Sequence, residues 1–414
     1  MKLSQLRGQS PTQIAQSLGT HLHNPEALER FAALPWPDKR SEAYRYADLD
    51  RVWERDLEWV RTQSTPPRTT RALVVTDGIV TEVPENVTVQ TIDPVTVDPE
   101  HHDPLYYLSH ALSPRVIEVT IASDVHLRIE HHIHAHGALA AYRIVLRVAE
   151  KTQASLSERL VDMSLGQPGR DGTVLLYGYD AHIARDASLT WVGERTSTCE
   201  GAVVIASHAF KVAPQGRLWF GQYDFGSGQG VHQLRFVLDA YARVDLAHLL
   251  YATANARIGT VSTVVHRGAH SHSTQVAKNI LGDTARGIFD ALIRVEPSAR
   301  YTVAHQNNRA ILLDDGAYMA AKPQLEIDID ELEASHGSTT GQLDAQQLFY
   351  LRSRGIDEQT ARKILILAFA NEVIDTIADA NTREQIHARF EQAYYGEAHL
   401  ACLETCHGCE GTSN

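Results

Sequence analysis

The fold is decided by two runs of sequence, Ser188-Leu-Thr-Trp-Val-Gly193 and Arg217-Leu-Trp-Phe-Gly-Gln-Tyr223. Each run is short and mixes aromatic and other apolar residues with polar ones, which is typical of a β-strand. The first run contains Trp191-Val-Gly193, and a similar Trp219-Phe-Gly221 follows 28 residues later. A motif that returns at such an interval predicts stacked β-coils that share one core.

Similar runs fill the chain on both sides, from about Leu73 to Ile329, for example VIEVTI, VHLRIEHHIH, YRIVLRV, TVLLYGY, QLRFVL and GTVSTVV. The main helix candidate in this span is Leu105 to Leu112. A doubly wound α/β sheet needs a helix between its strands and is therefore excluded. A sandwich, a barrel or a solenoid remains. Small alanines recur at intervals of 28, 31, 29 and 30 residues and favour the solenoid: Ala181, Ala209, Ala240, Ala269 and Ala299.

Helical patterns flank this core. Asn24 precedes a proline and an apolar stripe, which predicts a helix start near the N-terminus. Near the C-terminus Asp344 and Asp357 predict two more starts, with Gly355 as the residue that ends the first of these helices. The predicted regions are a helical segment 1–70, a β-helix core 71–330, and a helical segment 331–414 with a cysteine-rich tail.

The second C-terminal helix has an apolar stripe at helical spacing, formed by residues 361, 364, 365, 368, 369, 373, 374 and 377. A last helix is predicted from about Thr382 to Tyr395. Such a stripe either packs on the core or binds a partner, and sequence cannot separate the two.

Composition narrows the function. The 414 residues carry a formal net charge of −13 and no long basic run, which argues against nucleic acid or an anionic membrane as a partner. No apolar run approaches the roughly 18 residues that span a bilayer. The N-terminal MKLSQLRGQSPTQ lacks the apolar stretch of a secretory signal. These features predict a cytoplasmic protein.

Three groups of residues are candidate metal sites. The tail Cys402-Leu-Glu-Thr-Cys406-His-Gly-Cys409 offers three thiols and His407 at spacings that can converge on one metal or cluster. His132, His134 and His136 would share one face of a strand, and a second set is His266, His270 and His272. The alternative is a tail without a role and solvent-facing histidines. No G-x-S-x-G, phosphate-loop or H-E-x-x-H motif is present, and Gly226-Ser-Gly-Gln-Gly230 is interpreted as a plain loop.

Three C-terminal segments resemble a known family. Lys322-Pro-Gln-Leu-Glu-Ile327 is followed by Ser335-His-Gly-Ser-Thr-Thr-Gly-Gln-Leu-Asp344 and Leu348-Phe-Tyr-Leu-Arg-Ser-Arg-Gly-Ile356. This pattern resembles the SufB/SufD family, and its SHG and LFYLRSRG motifs are closer to the SufD branch. His305-Gln-Asn-Asn-Arg-Ala-Ile-Leu-Leu313 and Arg40-Ser-Glu-Ala-Tyr-Arg-Tyr-Ala-Asp-Leu49 are similar to further family segments, so the likeness spans nearly the whole chain.

The resemblance implies a right-handed parallel β-helix between N- and C-terminal helical regions. It also implies a scaffold of an iron–sulfur cluster assembly complex rather than an enzyme. Such a subunit pairs with a SufB-like scaffold and docks a SufC-like ABC-type ATPase through its C-terminal helices. A transient cluster is expected at the SufB–SufD interface, with no cofactor tightly bound to the isolated chain.

The same resemblance implies roles for individual residues. His336 matches the SHG histidine and is the candidate cluster ligand. The candidates for partner binding are Phe349, Tyr350, Arg352, Arg354, Gly355, Ile364, Leu365 and Phe369. Ala334 stands where many relatives have a cysteine, and neither Cys199 nor the cysteine-rich tail matches a family ligand.

Two alternatives remain open besides the scaffold. One is a β-helical carbohydrate-active enzyme, which would need paired carboxylates along a groove. The other is a metal-binding or storage protein that uses the cysteine-rich tail. A homodimer of the isolated chain is also expected, since the end of a β-helix exposes unpaired strand edges.

Overall fold

The computed structural model describes residues 1–60, 66–162, 172–198 and 201–396. A parallel β-solenoid stands between N-terminal and C-terminal helices, which confirms the predicted β-helix. The helices are α1 (Pro11–Leu18), α2 (Pro25–Ala32), α3 (Leu49–Trp53), α4 (Pro104–Leu112), α5 (Ala345–Ser353), α6 (Glu358–Ile374) and α7 (Ala380–Tyr395).

The strands in the described ranges are β1 (Glu58–Trp59), β2 (Arg68–Thr70), β3 (Ala72–Thr76), β4 (Ile79–Pro84), β5 (Thr88–Ile92), β6 (Val116–Ile121), β7 (His126–Ile133), β8 (Ala138–Val148), β9 (Gln153–Asp162), β10 (Val174–Ile183), β11 (Ser188–Ser197), β12 (Val203–Val212), β13 (Arg217–Gly226), β14 (Gln229–Leu238), β15 (Arg243–Ala252), β16 (Arg257–His266), β17 (His272–Leu281), β18 (Arg286–Val295), β19 (Thr302–Leu312), β20 (Tyr318–Ile327) and β21 (Leu332–Gly341).

Consecutive strands from β8 onward alternate between two sheets. The even-numbered strands follow one another in one sheet and the odd-numbered strands in the other, always in parallel. Each even–odd pair is therefore one coil, and seven coils stack from β8–β9 to β20–β21. The strands form because their side chains alternate: in β9 every second residue is buried. Inner positions stack from coil to coil, so that Trp191 lies opposite Phe220.

The corners of the coils use left-handed backbone at residues other than glycine. Asp186, Gln215, Tyr241, His270 and Tyr301 all have φ between 58° and 63°. The N–H of each donates to a carbonyl of the following coil, for example Tyr241 to Ala269 and His270 to Arg300. These hydrogen bonds offset part of the roughly 1–2 kcal/mol that a left-handed residue costs.

Two sequence expectations for the core need correction. The solenoid does not end at residue 330, because β21 continues it to Gly341. The alanine repeat is also out of phase: Ala181 lies inside β10 and pairs in register with Phe210, so it does not occupy a corner. Ala240 and Ala269 do lie at corners, where their carbonyls accept hydrogen bonds from Gln215 and Tyr241 of the preceding coil.

The N-terminal helices cover one outer face of the solenoid. Helix α2 begins as predicted, with Asn24 Oδ1 accepting from the N–H of Ala27 at 3.1 Å. Helix α4 confirms the predicted helix inside the β-rich span, and all of its residues are buried. Within the described ranges no helix is long and apolar enough to cross a membrane.

The C-terminal helices α6 and α7 pack on the outer face of the odd-numbered strands. The buried residues of α6 are Ala361, Ile366, Ala370, Val373 and Ile374. The predicted stripe was therefore partly wrong, since Ile364 and Ala368 are exposed. Apolar residues surround this helix on nearly every side, so the pattern alone does not indicate which side meets the sheet.

Candidate functional site

The last coil of the solenoid is open. Strand β20 pairs only with β18, and β21 pairs only with β19, so among the described strands each keeps one free edge. Most residues of β21 are exposed and polar or small. Free edges carry unpaired N–H and C=O groups in a row, which makes them templates for a strand of another chain.

His336 lies in the middle of this open coil. It pairs in register with Gln306 of β19, which is buried, and so occupies an inner position of the solenoid. No described strand covers β21, and the imidazole is therefore exposed. Its neighbour Ser335 is tied down by His305, whose Nδ1 lies 2.8 Å from the Ser335 hydroxyl. An exposed imidazole on a strand can bind iron through a ring nitrogen.

His336 belongs to no metal-binding group among the residues that the structure describes. The described residues contain no group of three or more His, Cys, Asp or Glu side chains that could hold a metal ion. Ala334, two residues earlier on the same face, offers no thiol. The described residues therefore do not supply the further ligands that a cluster at His336 would need.

Helix α5 projects beside this coil without burying any residue. Phe349 is 74% exposed and Tyr350 56% exposed, which is unusual for aromatic side chains. The guanidinium of Arg354 lies over the Tyr350 ring, with 5.2 Å between the Arg354 Cζ and the ring centroid. Arg352 pairs with Glu358 at 3.4 Å, and Gly355 ends the helix with φ 86° as predicted. An exposed aromatic and cationic helix is suited to binding a partner.

The remaining partner candidates differ in exposure. Ile364 of α6 is 39% exposed, whereas Leu365 and Phe369 are partly buried. The Phe369 ring lies 4.3 Å from the ammonium nitrogen of Lys278 on β17. Phe369 therefore also helps to hold α6 on the solenoid.

The two histidine sets do not form metal sites. His132 lies in β7, which ends at Ile133, whereas His134 and His136 follow the strand. The His132 ring contacts Glu130 at 2.8 Å. In the second set, His266 is buried between the hydroxyls of Ser271 and Ser273, both at 2.8 Å. His270 stacks on Tyr241, and His272 bonds to Thr274. The candidate ligands Cys402, Cys406, His407 and Cys409, together with Cys199, lie outside the described residues.

A polar cluster inside the solenoid was missed at the level of sequence. Nε2 of His131 lies 2.7 Å from Oε1 of Glu158, and the Tyr142 hydroxyl lies 2.7 Å from Nδ1 of the same ring. Tyr177 and Trp191 also donate to Glu158. Burial alone would raise the pKa of Glu158, but the hydrogen bond and charge of His131 outweigh it and hold this pKa at about 2. Strict alternation in Leu127, Ile129, His131 and Ile133 was the signal that His131 faces inward.

A cavity of about 940 Å³ lies between α7 and the odd-numbered strands, with Glu158 at its floor. Its lining mixes charges: Glu194 is 3.4 Å from Arg389, and Glu130 pairs with Arg128. These ion pairs and the inward bonds of Glu158 occupy the carboxylates. Among the described lining residues, we find no free pair of carboxylates of the kind that a carbohydrate-active enzyme needs.

The chain is similar in sequence to known proteins. Residues 131–369, more than half of the chain, match the family model described as SUF system FeS cluster assembly, SufBD core domain. The iron–sulfur cluster assembly protein SufD of Escherichia coli is 39% identical over 133 residues, which cover 32% of this chain and 31% of that protein.

Two further relatives align over longer segments. An iron–sulfur cluster assembly SufBD family protein of Synechocystis is 32% identical over 274 residues, 64% of this chain and 59% of the relative. One of Mycobacterium tuberculosis is 33% identical over 232 residues, 53% of this chain and 51% of the relative. Each alignment spans less than two thirds of the relative's length.

Proposed function

The chain belongs to the SufBD family of the SUF iron–sulfur cluster assembly system, and we propose that it acts there as a SufD-like scaffold subunit and not as an enzyme. The observation that carries this proposal is the open last coil, where His336 stands on a strand with a free edge. An imidazole without further ligands among the described residues is half of a site, and in this proposal a partner completes it.

The first partner in this proposal is a SufB-like scaffold. Strands β20 and β21 would continue into the strands of that subunit, because their free edges match the edges of another β-solenoid. A transient iron–sulfur cluster would form at the junction, with His336 as a ligand from this chain. In the absence of that partner a second copy of the chain would take its place and form a homodimer.

The second partner is a SufC-like ABC-type ATPase. Phe349 and Tyr350 on α5 and Ile364 on α6 leave apolar surface exposed beside Arg352 and Arg354. Helix α5 has no buried residue, so the fold does not explain its apolar side chains. A groove on the ATPase would bury them, as in other complexes where a helix provides apolar anchors. We place this assembly in the cytoplasm.

Co-expression with SufB-like and SufC-like proteins tests the proposal. Anaerobic size-exclusion chromatography and native mass analysis should show one complex with one scaffold partner and two ATPase copies. Two variants then separate the surfaces: Phe349→Ala with Tyr350→Ala should lose the ATPase only, and a charge on β21 should lose the scaffold only. A chain that elutes alone, while the other two proteins associate, would refute the proposal.

A further inference from the structure

The inner face of the solenoid is polar over much of its length. Inner positions normally carry apolar residues, yet here each coil from β8–β9 to β18–β19 places polar or titratable groups there. In order along the axis they are His131 and Glu158, Arg195, His208 and Asp224, His232 and His248, Thr260, Ser262, Gln275 and Asn279, then Gln306 and Asn308. All are more than nine-tenths buried. Such groups cost stability relative to an apolar core, which indicates a function.

Hydrogen bonds connect the first part of this series. Tyr142, His131 and Glu158 form one chain with two contacts of 2.7 Å. Gly193 stands beside Glu158, and a Cβ there would lie 2.8 Å from Gln222 Oε1, so the missing side chain lets Gln222 reach toward Glu158. Gln222 donates to Asp224 at 3.3 Å.

The second part leads on to the open coil. Nε2 of His232 lies 3.1 Å from Asp224 Oδ1. Farther along the axis Gln275 donates to Ser262 at 2.8 Å, and Asn279 donates to Asn308 at 2.8 Å. Asn308 in turn donates to Ser338 of β21, two residues from His336.

The breaks in this series coincide with polar atoms that lack a partner. Among the described residues, Nη1 and Nη2 of Arg195, Oδ2 of Asp224 and Nδ1 of His232 make no hydrogen bond, whereas Nε of Arg195 is ion-paired with Asp224 Oδ1 at 3.0 Å. The same is true of Oε1 of Gln275, Oδ1 of Asn279 and Oε1 of Gln306. Donors and acceptors are both left over, and water satisfies both kinds. An apolar ligand or a simple cation would not.

We propose that water molecules join these groups into a proton path through the solenoid, from Glu158 at the cavity under α7 to the open coil at His336. At each step a water molecule, hydroxyl, imidazole or carboxyl group gives its proton to the next acceptor and takes one from behind, so that no electron moves and no bond other than O–H or N–H changes. The amides of Asn279 and Asn308 donate hydrogen bonds to the path but do not pass protons on. Carboxylates, imidazoles, hydroxyls and water all exchange protons in this way. The amides of Gln275 and Gln306 hold the water in line.

The use of this path rests on the proposed function. Sulfide enters an iron–sulfur cluster without its protons, so cluster formation at His336 would release protons into a junction closed by the partner. The path would carry them to the cavity, whose lining includes Arg71 and Arg128.

The test uses the full chain alone, labelled with ¹⁵N in its histidine rings. NMR measures the exchange of the His232 and His248 ring protons with water, at denaturant concentrations too low for unfolding. We expect exchange much faster than global unfolding allows. Gln275→Leu should slow the exchange of the His248 ring proton about tenfold or more, because the apolar side chain interrupts the chain of water molecules. The exchange of the His131 ring proton should stay unchanged. Leu250→Met, an inner residue of similar volume, is the matched control.

Three outcomes decide the matter. Exchange of His232 and His248 only through global unfolding would overturn the path, and so would a high-resolution structure with no water beside Arg195, Gln275 and Gln306. If Gln275→Leu fails to fold, Gln306→Leu closes the path nearer its open end and is measured in the same way. Loss of cluster assembly in the complex, with exchange as expected, would refute the proposed function and leave the path standing.

Discussion

The ammonium nitrogen of Lys278 lies 2.5 Å from Oε2 of Glu372. Lys278 belongs to β17 and its side chain is 2% exposed, whereas the Glu372 side chain on α6 is 54% exposed. The same ammonium stands over the ring of Phe369. A single buried cation therefore fixes α6 on the solenoid through an ion pair and a cation–π contact, in addition to the apolar residues between them.

Removal of the Glu372 charge should loosen this attachment. We expect Glu372→Gln to lower the free energy of unfolding by about 1–2 kcal/mol, because the ammonium stays buried without its carboxylate. Lys278→Met combined with Glu372→Gln should recover much of that loss, since it removes the buried charge as well. Urea unfolding measures both, with Glu384→Gln on the exposed side of α7 as the control. Equal losses in the single and double variants would show that the buried ammonium is not what destabilises Glu372→Gln.

Acid should weaken the fold through Glu158. The pKa of this carboxyl is about 2 in the folded chain against an ordinary 4.5. A lowered folded pKa gives stability that is present above pH 4.5 and is lost as the pH falls from there toward 2. The shift corresponds to ~3 kcal/mol at neutral pH. Glu158→Gln should remove this amount at pH 7 and nearly nothing near pH 2, measured by urea unfolding across that range.

Asp180 and Asp224 should also contribute to the loss of stability at acid pH. Both are buried, which alone would raise their pKa values, but Arg143 and Arg195 lower them below the usual range. The Glu158→Gln variant should therefore keep part of the acid sensitivity of the parent chain. A variant whose stability loss is the same at pH 7 and pH 3 would contradict the assigned pKa of Glu158.

Two neighbouring isoleucines separate the core of α6 from its free surface. Ile366 is 1% exposed and Ile364 is 39% exposed. Ile366→Glu should cost about 3–5 kcal/mol of unfolding free energy, because it buries a charge against the sheet. Ile364→Glu should change stability by about 0.5 kcal/mol or less, yet weaken ATPase capture in a pull-down. An Ile364→Glu chain that binds the ATPase normally would exclude this residue from the interface.

The sequence predicted the solenoid because its strands are short, alternate and lack intervening helices. The positions of the corners could not be predicted, because the left-handed residues there, such as Asp186, Gln215 and Tyr241, share no side-chain chemistry. The contact between Asp224 and His232 could not be predicted either, because it depends on how the consecutive strands β13 and β14 face each other across the core. His336 was identified by resemblance, and only the coil around it explains its exposure.

The free edge of β21 should govern self-association. We expect the chain alone to form a homodimer through its open coil, and Thr340→Lys to raise the dimer dissociation constant by about tenfold or more, since edge lysines oppose strand pairing. Thr88→Lys is the matched control, on the edge strand β5 at the opposite end of the even-numbered sheet. Analytical ultracentrifugation measures both. A dimer that resists Thr340→Lys but not Thr88→Lys would place the interface at the other end.

His336→Ala should separate assembly from cluster formation. The imidazole is exposed and makes no hydrogen bond within the described residues, so its removal should change the unfolding free energy by about 0.5 kcal/mol or less. The complex with the two partners should form as before, because the strand edge is backbone. Iron and sulfide bound after anaerobic reconstitution should fall sharply, whereas exposed His134→Ala should leave both unchanged. A His336→Ala complex with normal iron and sulfide would show that this imidazole is not a ligand, and one that fails to assemble would assign it to the interface itself.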